Sequence, residues 1–258
     1  MITQWTQLIT TPLLTPKGLW RLGQAIAQGG PNLMALLQAS AQLHPTRTAL
    51  VTEEGALTYQ ELWQQATALA YLLQQEYGIA RSTKVALVCR NHRAAVCALF
   101  AIARLGASLY LVNPEQSPEQ IRGLGRDLGI DHYLYDAPLA STFAEEPLAS
   151  RATPAPALLT AINTCINATV ASHQATPLPC GGSGRVVVLT SGSTGRPKSV
   201  ARQPSPRNYL APFWAFLTTI GLGRHPALYV ATPLCHGYGL ALLLLGVALG
   251  RTLLLTER

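Results

Sequence analysis

Short apolar segments alternate with helical segments between residues 84 and 136, and this alternation constrains the fold more than any other feature. KVALVC (84–89), ASLYLV (107–112) and HYLYD (132–136) are mostly apolar runs of strand length. Between the first two runs, HRAAVCALFAIARLG reads as a helix that ends at Gly106, a residue type that tolerates a left-handed C-cap. Buried strands separated by helices predict an α/β fold with mostly parallel β-sheets covered by helices on both faces.

Capping signals predict where several helices begin. Thr58 is followed three residues later by Glu61, which is a capping box at the start of an apolar-faced helix. Ser117, with proline next and Gln120 three residues on, predicts a second capped start. Upstream, a helix is predicted within residues 30–43, and a hairpin is predicted around Gly55.

Composition divides the chain into three parts. Residues 1–136 are predicted to form a first βαβ subdomain with N-terminal helices. Residues 137–184 are an Ala/Pro/Thr-rich connection with one helix predicted around 156–168. Residues 185–258 begin a second βαβ subdomain, with strands and helices predicted over 185–189, 208–219, 227–231, 237–249 and 252–255. We expect the last of these strands to be an open sheet edge with uncovered apolar surface.

Composition and charge limit the functional classes. Hydrophobic residues make up 48% of the 258 residues, which predicts a packed globular chain. The net charge of +7 comes from scattered arginines with no basic run, so we expect no nucleic-acid partner. The five cysteines form no CxxC pair, which favours buried thiols over a disulfide framework or a zinc site. Neither a signal peptide nor an apolar run long enough to span a bilayer is found, and we expect a cytoplasmic protein.

The segment VVVLTSGSTGRPKSVAR (186–202) is the main chemical signal. Backbone N–H groups after a buried strand are unpaired, and glycines let them approach an anion. Hydroxyl groups and a lysine add donors and positive charge for phosphate oxygens. A polar surface turn is the simpler reading for any one of these residues alone. The candidate phosphate-binding residues are Thr190, Ser191, Gly192, Ser193, Thr194, Gly195 and Lys198.

Two common phosphate-binding motifs do not fit this segment. In a Walker A loop counted from Gly192, the second glycine is replaced by Pro197, which has no backbone N–H to donate. A dinucleotide-binding fingerprint follows its strand, whereas GGSG (181–184) precedes the strand here.

The segment LTSGSTGRPKS closely resembles the Thr/Ser/Gly-rich loop of the adenylate-forming (AMP-binding) enzymes. Three further segments, in the order found in that superfamily, support the resemblance: LTYQEL, ARLGASLYLVNPEQSPEQI and TPLCHGYGLALLLLGVALGRTLLL. Details of the strands and of the loop look most like bacterial fatty-acyl-CoA ligases. The resemblance implies that this chain is the first part of the family's large N-terminal domain.

The resemblance also implies an acid–thiol ligase reaction. A fatty carboxylate would be activated by ATP with Mg²⁺, and coenzyme A, as co-substrate, would then take the acyl group. The loop would hold the β- and γ-phosphates, and His236 would lie near the acyl pocket and orient the carboxylate. A hydrogen-bonded structural histidine is the alternative for His236. Gly237 and Gly239, which follow it, are expected to allow close approach of the chain beside the pocket. Cys235 and Ser199 depart from the family pattern, and the sequence assigns no metal ligand.

The resemblance ends about halfway through the large N-terminal domain. A YGxTE segment, a ribose-binding aspartate and a small domain with a catalytic lysine are expected beyond residue 258, so we expect this chain alone to be inactive. One hypothesis is a ligase completed by a further part, such as a separately encoded C-terminal half. The other is a truncated, non-catalytic remnant that at most binds polyphosphate or a partner chain.

Overall fold

A computed structural model of the chain describes residues 12–162, 178, 180–190, 198–202, 222 and 225–257, with the backbone alone at 190 and 198–202. The labelled helices are α1 (Pro16–Gly29), α2 (Leu33–Leu43), α3 (Tyr59–Tyr77), α4 (Arg93–Arg104), α5 (Pro118–Leu128) and α6 (Gly237–Ala248). The strands are β1 (Thr48–Thr52), β2 (Gly55–Thr58), β3 (Lys84–Val88), β4 (Ser108–Leu111), β5 (His132–Tyr135), β6 (Ala152–Pro154), β7 (Val186–Thr190), β8 (Lys198–Arg202), β9 (Ala227–Val230) and β10 (Thr252–Leu255). Short 3₁₀ helices span Pro12–Leu14, Ala137–Phe143 and Ala149–Arg151, and residues 155–162 are helical.

The strands form two sheets. The larger sheet has the order β6-β5-β3-β4-β7-β8, and all of its neighbours are parallel except β7 and β8. The smaller sheet has the order β2-β1-β10-β9, in which β1 and β2 are antiparallel and the other pairs are parallel. The predicted α/β class with mostly parallel sheets is therefore confirmed.

The main hydrophobic core lies between the two sheets. Helix α4 is buried along its whole length from Ala94 to Ala103, because it packs on β3 and β4 on one side and on α2 and α3 on the other. Helix α3 contacts β1 and β2, and α6 contacts β9 and β10. A second core cluster covers the outer face of the larger sheet, where Ile121 and Leu124 of α5 meet Tyr133 and Phe143. Both faces of the larger sheet are covered, as predicted.

Most predicted elements are confirmed to within a residue or two. Both capping boxes are formed: the Glu61 carboxylate accepts from the Thr58 amide, and Gln120 accepts from the Ser117 amide. Gly106 adopts the predicted left-handed conformation, with φ of 69°. Of the predicted helices, 208–219 and the end of 156–168 lie outside the described residues.

The sheets run across the predicted subdivision at residues 136 and 184. Strand β7 pairs with β4, and β10 pairs with β1, so each sheet draws strands from both ends of the sequence. The subdomain boundaries themselves stay a prediction. The expected open edge at Thr252–Leu255 is wrong, because β10 pairs in parallel with β1 on one side and with β9 on the other. The linear order of elements did not show that β1 would supply that partner.

Two strands were not predicted. β6 lies within the Ala/Pro/Thr-rich connection and extends the larger sheet by pairing with β5. β8 follows the candidate phosphate loop and pairs with β7. Both are edge strands, which carry little of the apolar patterning that reveals buried strands. Among the described residues, no helix is long and apolar enough to cross a membrane.

Candidate functional site

The β7–β8 hairpin holds the two ends of the candidate phosphate loop together. Thr190, the last residue of β7, pairs with Lys198, the first residue of β8. The backbones of paired residues in an antiparallel ladder lie about 4.5–5.5 Å apart, so these two predicted residues lie at one end of the hairpin. The chain returns as a strand, whereas a Walker A loop leads into a helix, which agrees with the exclusion of that motif. The predicted binding residues Ser191, Gly192, Ser193, Thr194 and Gly195 lie outside the described residues, and their role stays a prediction.

The hairpin end lies at the carboxyl edge of the larger sheet. Because β3, β4, β5 and β7 are parallel, the segments after these strands emerge at the same edge. Ligands of open α/β sheets bind outside this edge. Polar residues follow two of the strands there: Arg90, Asn91 and His92 after β3, and Asp136 after β5.

His236 occupies the N-cap position of α6, with its backbone N–H donating to the Pro233 carbonyl at 3.0 Å and its carbonyl accepting from Leu240 at 3.1 Å. Its ring is exposed and makes no capping hydrogen bond. The neighbouring Cys235 is buried, and burial raises the pKa of its thiol to about 11. An exposed ring beside a buried, protonated thiol does not form a nucleophilic Cys–His pair.

Two glycines in the first turn of α6 differ in what surrounds them. We expected both to allow close approach of the chain. A Cβ on Gly239 would lie 2.5 Å or less from the carbonyl oxygens of Thr232 and Pro233, so this expectation is confirmed. A Cβ on Gly237 would meet nothing within 4 Å, so the expectation for Gly237 is wrong. Of the two glycines, Gly239 is the one that lets α6 pack closely against the turn that precedes His236.

Gly239→Ala is expected to lower the free energy of unfolding by about 1–3 kcal/mol, because the turn must move to admit the methyl group. Gly237→Ala is the matched control and is expected to be neutral or to stabilise by up to about 1 kcal/mol, since alanine is the better helix former. Denaturant unfolding of both variants measures the difference. Equal stabilities of the two variants would contradict the proposed packing at Gly239.

Asn91 joins the larger sheet to the segment that leads to His236, and it was not among the site residues predicted from the sequence. Its side chain is buried, with Nδ2 donating to the Thr232 carbonyl at 3.1 Å and the Val230 carbonyl at 3.4 Å. Its Oδ1 accepts from the Leu234 amide at 2.8 Å. One amide therefore satisfies three backbone groups, at the end of β9 and just after it, and fixes the start of α6 relative to the end of β3. A polar residue directly after a buried strand was the available signal.

A buried ion pair links the ends of β3 and β5. His92 Nε2 lies 2.6 Å from Asp136 Oδ1, and the other carboxylate oxygen accepts from the Arg90 amide at 2.8 Å. In its neutral form His92 also caps α4, with Nδ1 accepting from the Ala95 amide at 3.3 Å. The Cys89 thiol, beside this pair, donates weakly to the Leu134 carbonyl at 3.6 Å.

Burial and charge act in opposite directions on this pair. Burial alone would lower the pKa of His92, but its hydrogen bond and charge interaction with Asp136 raise the net value. Burial alone would raise the pKa of Asp136, but the bond to His92 and the Arg90 amide lower the net value. Burial holds the pKa of the Cys89 thiol well above its ordinary value. His92 and Asp136 line a cavity of about 210 Å³ that also contacts Glu54, Arg90 and Glu257.

The ligand-type atoms of Cys89, His92 and Asp136 lie within 4.8 Å of one another. Each of them is already engaged in the hydrogen bonds described above. The cluster is therefore assigned to joining β3, β5 and α4, and we assign no metal to it. The described cysteines Cys89, Cys97 and Cys235 are buried free thiols, as predicted, and Cys180 is an exposed one.

Comparison with known proteins identifies the family. Residues 37–258 match the family described as AMP-binding enzyme. The chain belongs to this family. The AMP-binding family includes ligases that use ATP and Mg²⁺, CoA ligases among them. The superfamily predicted from the loop segment is thus confirmed. The match to this family does not distinguish fatty-acyl-CoA ligases from its other members, so the fatty-acyl type stays a prediction.

Relatives of this AMP-binding chain span two functional groups. It is 33% identical over 207 residues to phosphinothricin tripeptide synthetase PhsB of Streptomyces viridochromogenes, covering 76% of the chain and 17% of that protein. It is 29% identical over 228 residues to 2-succinylbenzoate–CoA ligase of Bacillus licheniformis, covering 86% of the chain and 44% of the ligase. The chain thus spans less than half the length of either relative.

The fold agrees with solved structures. The N-terminal domain of FACL13 from Mycobacterium tuberculosis is 24% identical and superposes with a TM-score of 0.72, covering 88% of the chain and 57% of that domain. The expected relation to the N-terminal domain of adenylate-forming enzymes is therefore confirmed at the level of the fold.

Proposed function

We propose that this AMP-binding chain is the first part of an acyl-CoA synthetase that activates a fatty carboxylic acid. In the first step a carboxylate oxygen attacks the α-phosphorus of Mg-ATP, the bond to the β-phosphate breaks, and acyl-adenylate and pyrophosphate form. In the second step the thiolate of coenzyme A attacks the acyl carbon and AMP leaves. Both steps balance without an oxidant or a reductant.

The pairing of Thr190 with Lys198 is the observation that carries this proposal. It places a hydroxyl residue and a cation at the two ends of a Ser/Thr/Gly-rich connection, at the carboxyl edge of a parallel sheet. In the proposal, the loop residues from Thr190 to Gly195 donate to the β- and γ-phosphates, and Lys198 offsets the negative charge that grows on the leaving pyrophosphate. Fixed donors of this kind lower the barrier without forming covalent bonds to the substrate.

The exposed ring of His236 supports its proposed role in orienting the carboxylate. It stands at the N-terminus of α6, where the helix dipole favours an anion. Coenzyme A as the acceptor is supported by the relation to a CoA ligase. An amino acid is the second candidate substrate, and the 33% identity to a tripeptide synthetase favours it.

Acid-dependent exchange of radiolabelled pyrophosphate into ATP tests the proposal. Fatty acids, 2-succinylbenzoate and amino acids are each supplied to this chain alone and to the chain joined to the remaining part of a ligase, either fused or as a separate protein. We expect exchange with fatty acids in the completed enzyme and none with the chain alone. Exchange with amino acids only would favour the second candidate. Binding of tripolyphosphate without exchange in either form would favour the non-catalytic remnant.

Lys198→Ala in the completed enzyme is expected to slow adenylate formation about tenfold to a hundredfold, which corresponds to about 1.4–2.7 kcal/mol of barrier. The thioester step starts from acyl-adenylate, after pyrophosphate has left, so its rate should change much less. Single-turnover assays started from acid and ATP, or from synthetic acyl-adenylate, separate the two rates. Arg126→Ala, on the exposed surface of α5, is the control. Equal slowing of both steps by Lys198→Ala would contradict the assigned role.

A further inference from the structure

Helix α1 points its apolar face away from the protein. Leu19, Trp20 and Ile26 are 53%, 68% and 38% exposed, and Leu14 in the preceding turn is 39% exposed. At 3.6 residues per turn, Leu19, Trp20 and Ile26 fall within one arc of about 120°. Gly23 and Ala27 complete the same arc, and both are exposed. The arc therefore contains no charged side chain.

The opposite face of α1 consists of small residues and is fixed against the protein. Gly18, Ala25 and Gly29 are buried, and α1 packs on α2. A Cβ on Gly18 would lie 2.2 Å from the Pro12 carbonyl oxygen, so no larger residue fits there. Thr15 caps the helix by accepting from the Gly18 amide at 3.1 Å and donates to the Pro12 carbonyl at 2.7 Å. Rotation of α1 to bury Trp20 would force its indole into a space built for glycine and alanine.

The charges around this face have one sign. Lys17 is exposed on the flank next to Trp20, and Arg21 lies one turn further along the same row. Helix α1 contains no acidic residue, and the first acidic residue of the sequence is Glu53. The apolar arc offers few hydrogen-bonding groups beyond the indole N–H of Trp20, whereas protein interfaces carry about one hydrogen bond per 100–200 Å². Tryptophan and basic residues beside aliphatic ones are typical of helices that lie in a membrane interface.

We propose that the outward face of α1 binds the surface of a membrane containing anionic lipids. Leu14, Leu19, Trp20 and Ile26 enter the boundary between headgroups and acyl chains, while Lys17 and Arg21 contact the lipid phosphates. The helix lies in the plane of the interface and does not cross it. The charge pattern favours this occupant over a second copy of the chain, because two copies would bring basic residues together.

Co-sedimentation of the 258-residue chain with phosphatidylcholine vesicles, with and without phosphatidylglycerol, tests the proposal. We expect binding to the anionic vesicles that weakens as salt is added, and weaker binding to pure phosphatidylcholine. The variant Leu19→Ala/Trp20→Ala is expected to reduce the partition coefficient at least about tenfold for both vesicle types, because membrane affinity scales with the apolar area inserted. Its far-ultraviolet circular dichroism and melting temperature should stay unchanged, since both side chains are exposed.

Charge reversal separates electrostatic attraction to anionic lipids from insertion of the apolar side chains. Lys17→Glu/Arg21→Glu is expected to abolish the preference for phosphatidylglycerol. Arg126→Glu, in the last turn of α5, gives a charge reversal on an exposed helix elsewhere and should leave the preference in place. Absence of binding to anionic vesicles would overturn the proposal. A lipid-free dimer that disappears in the Leu19→Ala/Trp20→Ala variant would also overturn it, because it would assign the face to a second copy.

Discussion

Asp136→Ala is expected to lower the free energy of unfolding by about 3–5 kcal/mol, the usual cost of removing one partner from a buried ion pair. The carboxylate accepts hydrogen bonds from His92 at 2.6 Å and from the Arg90 amide at 2.8 Å, and alanine replaces neither. Both donors would be left without that acceptor. The end of β5 would also lose its link to the start of α4.

The effect of Asp136→Ala is expected to depend on pH. The pKa of Asp136 in the folded chain lies below its ordinary 3.8, so its stabilisation is present above that value and is lost as pH falls through the folded pKa. The pKa of His92 lies above its ordinary 6.5, so the charged pair is fully present below 6.5 and is lost as pH rises through the folded pKa. The difference between wild type and variant should therefore be largest between pH 3.8 and 6.5.

Asp131→Ala is the matched control for Asp136→Ala. Asp131 also accepts a backbone amide at 2.8 Å, from Lys84 at the other end of β3, but it is exposed. Water can replace this bond, so we expect a loss of about 1 kcal/mol or less. Urea unfolding of both variants across the pH range measures the difference. An equal loss for the two variants, or a difference that does not change with pH, would contradict the buried ion pair.

Asn91→Leu is expected to lower the free energy of unfolding by about 2–4 kcal/mol. A leucine side chain is close in size but offers no hydrogen bond, which leaves the Leu234 amide and the Thr232 carbonyl without their partner in a buried region. Each buried unsatisfied group costs about 1–3 kcal/mol. Because Asn91 joins the end of β3 to the segment after β9, the loss should be concentrated at the start of α6, next to His236.

Hydrogen exchange at the Leu234 amide provides a local measurement for Asn91→Leu. We expect exchange there to accelerate more than at β3 amides such as Leu87. Asn91→Asp keeps an acceptor for Leu234 but loses the donor to Thr232, so it should protect the amide better than leucine does. Asn113→Ala is the control, since Asn113 accepts one amide at 3.0 Å in an exposed turn, and we expect about 1 kcal/mol or less from it. An equal acceleration of hydrogen exchange at all amides would contradict a local stabilising role for Asn91.

The sequence predicted the buried strands and the capped helices well. β3, β4 and β5 could be predicted because strands buried on both faces are apolar along their whole length. The capped helices could be predicted because a capping box involves residues only three apart in the sequence. The edge strands β6 and β8 were missed, since an edge strand is specified by its neighbour more than by its own residues. Asn91, His92 and Asp136 were missed for a related reason: their partners lie 44 residues or more away in the chain.

By itself, the sequence determined the fold class and the family, because these depend on local periodicity, caps and a short motif. The phosphate-binding role of the loop between β7 and β8 stays a prediction from that motif. Only the tertiary structure decided that β10 is an interior strand, that Asn91 fixes the segment carrying His236, and that α1 turns Trp20 outward. Each of these depends on which distant segments meet. Strand pairing, buried hydrogen bonds and the packing of small residues decide which distant segments come into contact. These interactions depend on residues far apart in the chain, so a local sequence pattern does not reveal them.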